Sequence, residues 1–301
     1  VLFSYAMRKS NEKRGELFIL GSAMIWGIFP LVVNLGRETL SPLFFAAITT
    51  MLAAFCALIY SACTGKLGEF NKRESYADLL LITLYIVVIP YTLFFIGAGH
   101  TSGINSSLLL LSEMIFTLLL TPFMGEKTTW IKIAGASGVF MGGFLLLYDG
   151  EFNMNWGDLL VIISTFTYPI GNFYGKRALK KVSPATILSV RFFLGSLFLF
   201  ILAYLFEPRI QLDIITDHLG IILFTGFILL GISKVFWYEG LKRVDISKAN
   251  ALGMTFPLFS ILALIIYFGE TPSTQQWIGI GVMAIGIYFS IKRRSAIPYS
   301  N

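Results

Sequence analysis

The sequence predicts an all-α membrane protein, with ten transmembrane helices arranged as two inverted five-helix repeats around a central cavity. Three observations predict it. Of 301 residues, 56% are hydrophobic and only 13% charged, with a mean hydropathy of +0.76, whereas a soluble domain carries about 25% charged residues. Apolar runs long enough to cross a hydrocarbon core, roughly 17 to 25 helical residues, recur along nearly the whole chain. The two halves also match each other at a nearly fixed offset.

Apolar runs bounded by charges or turn residues place spans 1 to 5 near 16–36, 42–64, 77–98, 102–124 and 130–148. Spans 6 to 10 follow near 157–175, 184–206, 217–240, 247–268 and 274–291. The runs are long and continuous and lack the period-two alternation of a barrel strand, so helices are expected. The first run follows Arg8, Lys9, Lys13 and Arg14 and superficially resembles a secretory leader. Its 20 residues from Leu17 to Gly36 exceed a usual leader core and no small-residue cleavage site follows, so it reads as a span.

Loop charge tests the count, because cytoplasmic loops are enriched in Lys and Arg. With the N-terminus inside, the inner segments hold Arg8, Lys9, Lys13 and Arg14; Lys66, Lys72 and Arg73; Lys127 and Lys132; Lys176, Arg177, Lys180 and Lys181; Lys242, Arg243 and Lys248; and Lys292, Arg293 and Arg294. The outer segments hold only Arg37 and Arg209, and the turn after span 5 carries Asp149, Glu151 and Asp158 with no base. Dropping or adding one span would destroy this alternation. Both termini are therefore expected in the cytoplasm of a plasma membrane, the inner membrane in a bacterium.

The repeat is carried by named residues. Gly15, Ser41 and Pro42 recur 142 residues later as Gly157, Ser183 and Pro184. Gly125, Glu126, Gly135 and Gly142 recur 144 residues later as Gly269, Glu270, Gly279 and Gly286. The organisation read from this is a tail at 1–14, repeats at 15–149 and 150–292, and a tail at 293–301. Five spans per copy require the second to enter the membrane from the opposite side, the inverted arrangement on which alternating access rests.

These residues resemble the ten-helix EamA-type members of the drug/metabolite transporter superfamily, over residues 15 to 291. The motif pieces are Trp26-Gly27 in span 1, Pro184 followed seven residues later by Arg191, and Pro257 thirteen residues before the Gly269-Glu270 turn. Thr49 stands where the first-half counterpart of Arg191 would be, and Glu113 where that of Pro257 would be. The resemblance implies a secondary-active exporter or exchanger of small metabolites, such as amino acids or amphipathic drugs. A channel-like facilitator and a non-transporting receptor or scaffold are the alternatives.

Interior Pro and Gly mark where a membrane helix can open its backbone to a cavity. Trp26-Gly27 with Pro30 in span 1 aligns with Tyr168-Pro169 and Asn172 in span 6, while Pro90 interrupts span 3 and Pro257 span 9. Buried charges are costly, about 2.5 to 3.5 kcal/mol at a helix centre on insertion scales. Glu113, about eleven residues into span 4, reads as a proton-coupling site, as the partner of a cationic substrate group, or as one end of a structural ion pair. Lys234 in span 8 shares a face with Trp237 and Tyr238, a wall suited to an anionic group or carboxylate. Arg191 reads as a packing and hydrogen-bonding residue, and Glu239 as a helix-end charge. The expected substrate-binding set is Trp26, Tyr91, Glu113, Tyr168, Asn172, Lys234, Trp237 and Tyr238, with Glu113 the coupling candidate.

Small residues concentrate in span 5 (Gly135, Gly138, Gly142, Gly143) and span 10 (Gly279, Gly281, Gly286), which indicates close helix packing. In the resembled family these spans are peripheral, so their faces could also support a homodimer. Glu126 and Glu270 are expected to cap the helix that follows each. An enzyme is not expected: His100 and His218 lie in no metal-ligand spacing, and no phosphate loop is present. Neither cofactor nor metal is implied. Cys56 and Cys63 are about 10 Å apart along one helix, too far for a disulfide. The expected partners are a small-molecule substrate, the proton and the lipid bilayer, in a monomer or homodimer. Nucleic acid is not among them, since the bases sit in short loops.

Overall fold

The computed structural model describes residues 2–28, 32, 41–101, 103–127, 129–148, 150, 154–207, 212–260, 262 and 272–292. Expectations for Pro30, the Gly269-Glu270 turn and the tail from residue 293 lie outside the described residues. Among the described residues all regular structure is helical. The first half comprises α1 (Leu2–Trp26), α2 (Pro42–Cys63), α3 (Tyr76–Ile82), a π segment (Thr83–Val88), α4 (Ile89–Ala98), α5 (Gly103–Leu110), α6 (Ser112–Leu120) and α7 (Trp130–Leu147). The second comprises α8 (Trp156–Ala178), α9 (Pro184–Phe206), α10 (Leu212–Asp217), α11 (Leu219–Leu223), a π segment (Phe224–Ile232), α12 (Ser233–Leu241), α13 (Ile246–Gly253), a helical stretch at 256–260 and α14 (Thr274–Lys292).

Among the described residues, five continuous helical stretches are long and apolar enough to cross a membrane: Pro42–Cys63, Arg73–Ala98, Trp130–Leu147, Pro184–Phe206 and Leu219–Leu241. The N-terminal tail is not separate from the first apolar run. Winding starts at Leu2 and continues into α1, which stops at Trp26, where Gly27 closes the last turn onto Ala23.

The helices pair so that exchanging the two halves maps the contact pattern onto itself. α2 packs on its counterpart α9, and α7 on its counterpart α14. α4 packs on α8, and the equivalent pair in the other half is α12 on α1. Glycine makes both crossings close. A Cβ on Gly97 would meet the Gly157 carbonyl at 2.6 Å, and one on Gly240 would meet the Gly15 carbonyl at 2.9 Å. Small residues let helix backbones approach in just this way. The glycine stripe of α7 is consumed inside the chain too: a Cβ on Gly138 would stand 2.7 Å from Gly286 Cα, and one on Gly142 2.5 Å from Met283 N. Gly281, by contrast, has nothing within 4 Å of the position of a Cβ.

The irregularities also come in matched pairs. α5 and α6 are separated by a turn at Leu111, and α13 and the stretch 256–260 by a turn at 254–255. Beside each break a hydroxyl bonds back to a carbonyl three residues earlier, Ser112 to Leu109 and Thr255 to Leu252, both at 2.7 Å. Such back-bonding competes with the helix ladder, and Pro257 adds a missing N–H in the second case. Pro90 does not interrupt its helix as expected. The π segment before it widens the turn where the ring would meet the carbonyl four residues back. α8 runs unbroken through Pro169, so the expected match with the end of α1 fails. A single proline bends a long helix rather than ending it, and α8 is held by α4 and α6 along its length.

Acids from loops tie the halves together by capping helices of the opposite half. Glu69 accepts from Ser183 N at 2.6 Å and from the Thr186 hydroxyl at 3.0 Å at the start of α9. Glu207 accepts from Leu43 N at 2.5 Å and Phe44 N at 2.8 Å at the start of α2. Glu126 caps α13, through Ile246 N at 2.6 Å and the Ser247 hydroxyl at 2.7 Å, rather than the α7 that follows it; Thr129 caps α7. The orphan N–H groups of a helix start attract whichever carboxylate the fold brings near. Lys248 bonds Glu12 at 2.8 Å and pairs with Glu16, and Asp78 pairs with Arg177 at 2.7 Å and Lys181 at 3.0 Å. These contacts gather the basic loops at one end of the bundle.

Candidate functional site

The irregular backbone surrounds a cavity lined from both halves of the chain. Its walls come from the end of α1 (Ser22, Ala23, Trp26), the first π segment (Ile86), α4 (Tyr91), both sides of the Leu111 break (Leu110, Glu113), α8 (Tyr168, Asn172), α9 (Arg191), α12 (Lys234, Trp237) and both sides of the second break (Gly253, Met254, Phe256). Non-helical backbone at membrane depth is tolerated where it lines such a space. A small apolar annex shares Trp26, Tyr91, Leu110 and Tyr168 with it and continues past Phe94, Phe95, Thr225 and Leu230.

Seven of the eight residues expected to bind substrate line this cavity: Trp26, Tyr91, Glu113, Tyr168, Asn172, Lys234 and Trp237. Tyr238 lies behind the wall, fully buried, with its hydroxyl accepting from Arg191 Nη1 at 3.1 Å. The Arg191 guanidinium, 4.9 Å from its ring centroid, holds it there. The Lys234 ammonium stands 3.9 Å from the centroid of the Trp26 ring. Among the described residues no hydrogen bond or ion pair engages the Glu113 carboxylate, and Arg191 and Lys234 are the bases that line the cavity with it.

Around these groups the wall is held by interhelical hydrogen bonds. The Ser112 and Thr165 hydroxyls share a bond of 2.7 Å between α6 and α8, and those of Ser22 and Ser233 one of 3.0 Å between α1 and α12. Asn250 donates to the Thr117 hydroxyl between α13 and α6. Arg191 is the wall residue that sequence reasoning assigned elsewhere. Its signal was a permanent charge inside span 7 with no acid on the same span.

A profile of the EamA-like transporter family matches residues 13–148 and, a second time, residues 155–292. The chain belongs to the EamA-like transporter family. This EamA-like chain is 25% identical over 272 residues to an uncharacterized transporter of Archaeoglobus fulgidus, covering 89% of this chain and 95% of that one. It is 22% identical over 307 residues to a probable amino-acid metabolite efflux pump of Escherichia coli K12, covering 95% and 98%. It is likewise 22% identical over 292 residues to the uncharacterized transporter YoaV of Bacillus subtilis, covering 92% and 98%. A solved crystal structure at 17% identity aligns with a TM-score of 0.77 over 92% of this chain and 96% of its own, a shared fold. The protein is a multi-pass membrane transporter built from two copies of the EamA unit.

Proposed function

We propose that the chain is a secondary-active carrier that exports or exchanges small metabolites, amino acids or amphipathic drugs among them, by alternating access. The supporting observation is the cavity itself, lined from both repeats at backbone irregularities that recur in matched places. The reading takes ten spans, two inverted repeats meeting near residue 150, and both termini on the cytoplasmic side of the plasma membrane. The loop bases gathered at one end of the bundle support that orientation.

The cavity chemistry supports an amphipathic cargo. Glu113, Asn172, Arg191 and Lys234 make one polar region, and Phe94, Phe95 and Leu230 make the adjoining annex apolar, a mixture typical of small-molecule sites. The name of the Escherichia coli relative favours amino acids within that range. Glu113 and Lys234 come from opposite repeats, so a conformational change that moves the repeats against each other alters the distance between the two charges. On this reading Glu113 takes either a proton or a cationic group of the substrate.

Counterflow in proteoliposomes against a panel of amino acids, sugars and organic cations tests this. Saturable uptake of labelled solute driven only by unlabelled solute inside is expected. Solute movement that never saturates would favour a channel-like facilitator, and no movement of any solute would favour a receptor or scaffold.

A further inference from the structure

We propose that Arg191 is the anion-binding residue of the cavity, holding a carboxylate of the substrate on the Nε–Nη2 edge of its guanidinium. The proposal rests on reading the cavity as the transport site. Arg191 lines that cavity and is 1% exposed. Its guanidinium stays charged in any protein setting, so burial obliges the surroundings to compensate it. They do so on three sides. Nη1 donates to the Tyr238 hydroxyl at 3.1 Å, and the group lies 4.4 Å from the Phe192 ring centroid and 4.9 Å from that of Tyr238.

The fourth side is left unmet. Nε and Nη2 are buried and have no hydrogen-bond partner. In a guanidinium, Nη1 lies on the Cδ side and Nη2 on the side of the Nε–H, so Nε and Nη2 present two parallel N–H groups. That edge is the one that grips a carboxylate with two bonds. An arginine used only for packing would have it filled by a carbonyl or an acid, since buried polar groups are nearly always satisfied. Among the described residues no carboxylate forms an ion pair with Arg191, although Glu113 lines the same cavity. Lys234 supplies a second positive group in that wall, so the polar region carries two bases against one acid.

Tyr238 acquires a role from this arrangement. By fixing Nη1 it sets the rotation of the group and leaves the fork free, which makes it a positioning residue rather than a contact.

The test uses the purified full chain in lipid nanodiscs, with tryptophan fluorescence as readout because Trp26 and Trp237 line the cavity. The probes are 3-phenylpropionate and its amide, which share shape and differ in charge. Wild-type protein should bind the carboxylate roughly tenfold more tightly than the amide, a ratio that falls to about one in Arg191→Gln and only partway in Arg191→Lys, whose ammonium lacks the fork. A wild-type ratio near one overturns the proposal, whether or not the variants fold, and so does a ratio that survives Arg191→Gln. Counterflow by the same proteins reconstituted in proteoliposomes separates the two readings. An Arg191-dependent ratio without counterflow leaves the anion site standing and removes the carrier, and counterflow with an Arg191-independent ratio does the reverse.

Discussion

The Lys234 ammonium rests 3.9 Å from the centre of the Trp26 ring, so a charge from the second repeat is held on an aromatic face from the first. A desolvated cation on an indole face contributes about 2 kcal/mol. A double-mutant cycle of Trp26→Leu and Lys234→Met, read in counterflow rates, should therefore show the two changes coupled by about 1 to 2 kcal/mol. Additive losses would mean that the ring and the ammonium act separately.

Glu113 is expected to separate coupling from carriage. Replacing it by Gln keeps the shape and removes an acid that no described residue pairs with. Exchange of solute should persist in Glu113→Gln, while accumulation driven by a pH gradient should vanish. Melting in detergent should not fall, because an unpaired buried charge opposes folding. Gradient-driven uptake at the wild-type level would remove Glu113 from the coupling step.

The mirrored acids Glu69 and Glu207 should respond to acid in opposite senses. Burial pushes the Glu69 carboxyl up, but the Ser183 N–H, the Thr186 hydroxyl and Lys72 outweigh it and hold the group below its ordinary 4.5. Burial pushes the Glu207 carboxyl up, and the Leu43 and Phe44 N–H groups do not bring it back. A carboxyl lowered by folding stabilises above its unfolded pKa, and that contribution is lost as pH falls through the folded value. One raised by folding carries a cost that is relieved as pH falls through the folded value. At pH 7 Glu69→Gln should thus cost about 1 kcal/mol, as a lost helix cap does, and should blunt the acid-side loss of stability. Glu207→Gln should cost less and remove a gain. Melting curves between neutral pH and the carboxylate range check both signs.

Much of this architecture is legible in the sequence because lipid imposes it. Long apolar runs must be helices, and the 142- and 144-residue offsets disclose the repeat without any contact being known. Trp26, Glu113 and Lys234 could be picked out because charge and indole inside apolar runs demand partners. The features that escaped depend on tertiary neighbours. Nothing in Phe224–Ile232 marks a π segment, since it contains no proline; its glycines, Gly226 and Gly231, sit against Leu52 and Cys56 of α2. Leu111 gives no local sign of a break. The carboxylate of Glu126 could have served the helix after it, and only the docking of α13 beside that loop decides otherwise. That the Nε–Nη2 edge of Arg191 is unmet shows only once Tyr238 is placed on Nη1.

The α7–α14 seam offers a test with an internal control. A Cβ on Gly142 would stand 2.5 Å from Met283 N, a backbone atom that cannot turn aside, whereas nothing lies within 4 Å of a Cβ on Gly281. Gly142→Val should therefore cost about 3 kcal/mol by overpacking, seen as a lowered melting temperature in detergent, and Gly281→Val should change it little. Oligomeric state should stay the same in both variants, because the stripe is filled by the chain's own helix. If Gly142→Val instead altered the oligomer and left melting untouched, the glycines would be serving a second copy, and the pairing of α7 with α14 would not be what holds this edge of the bundle together.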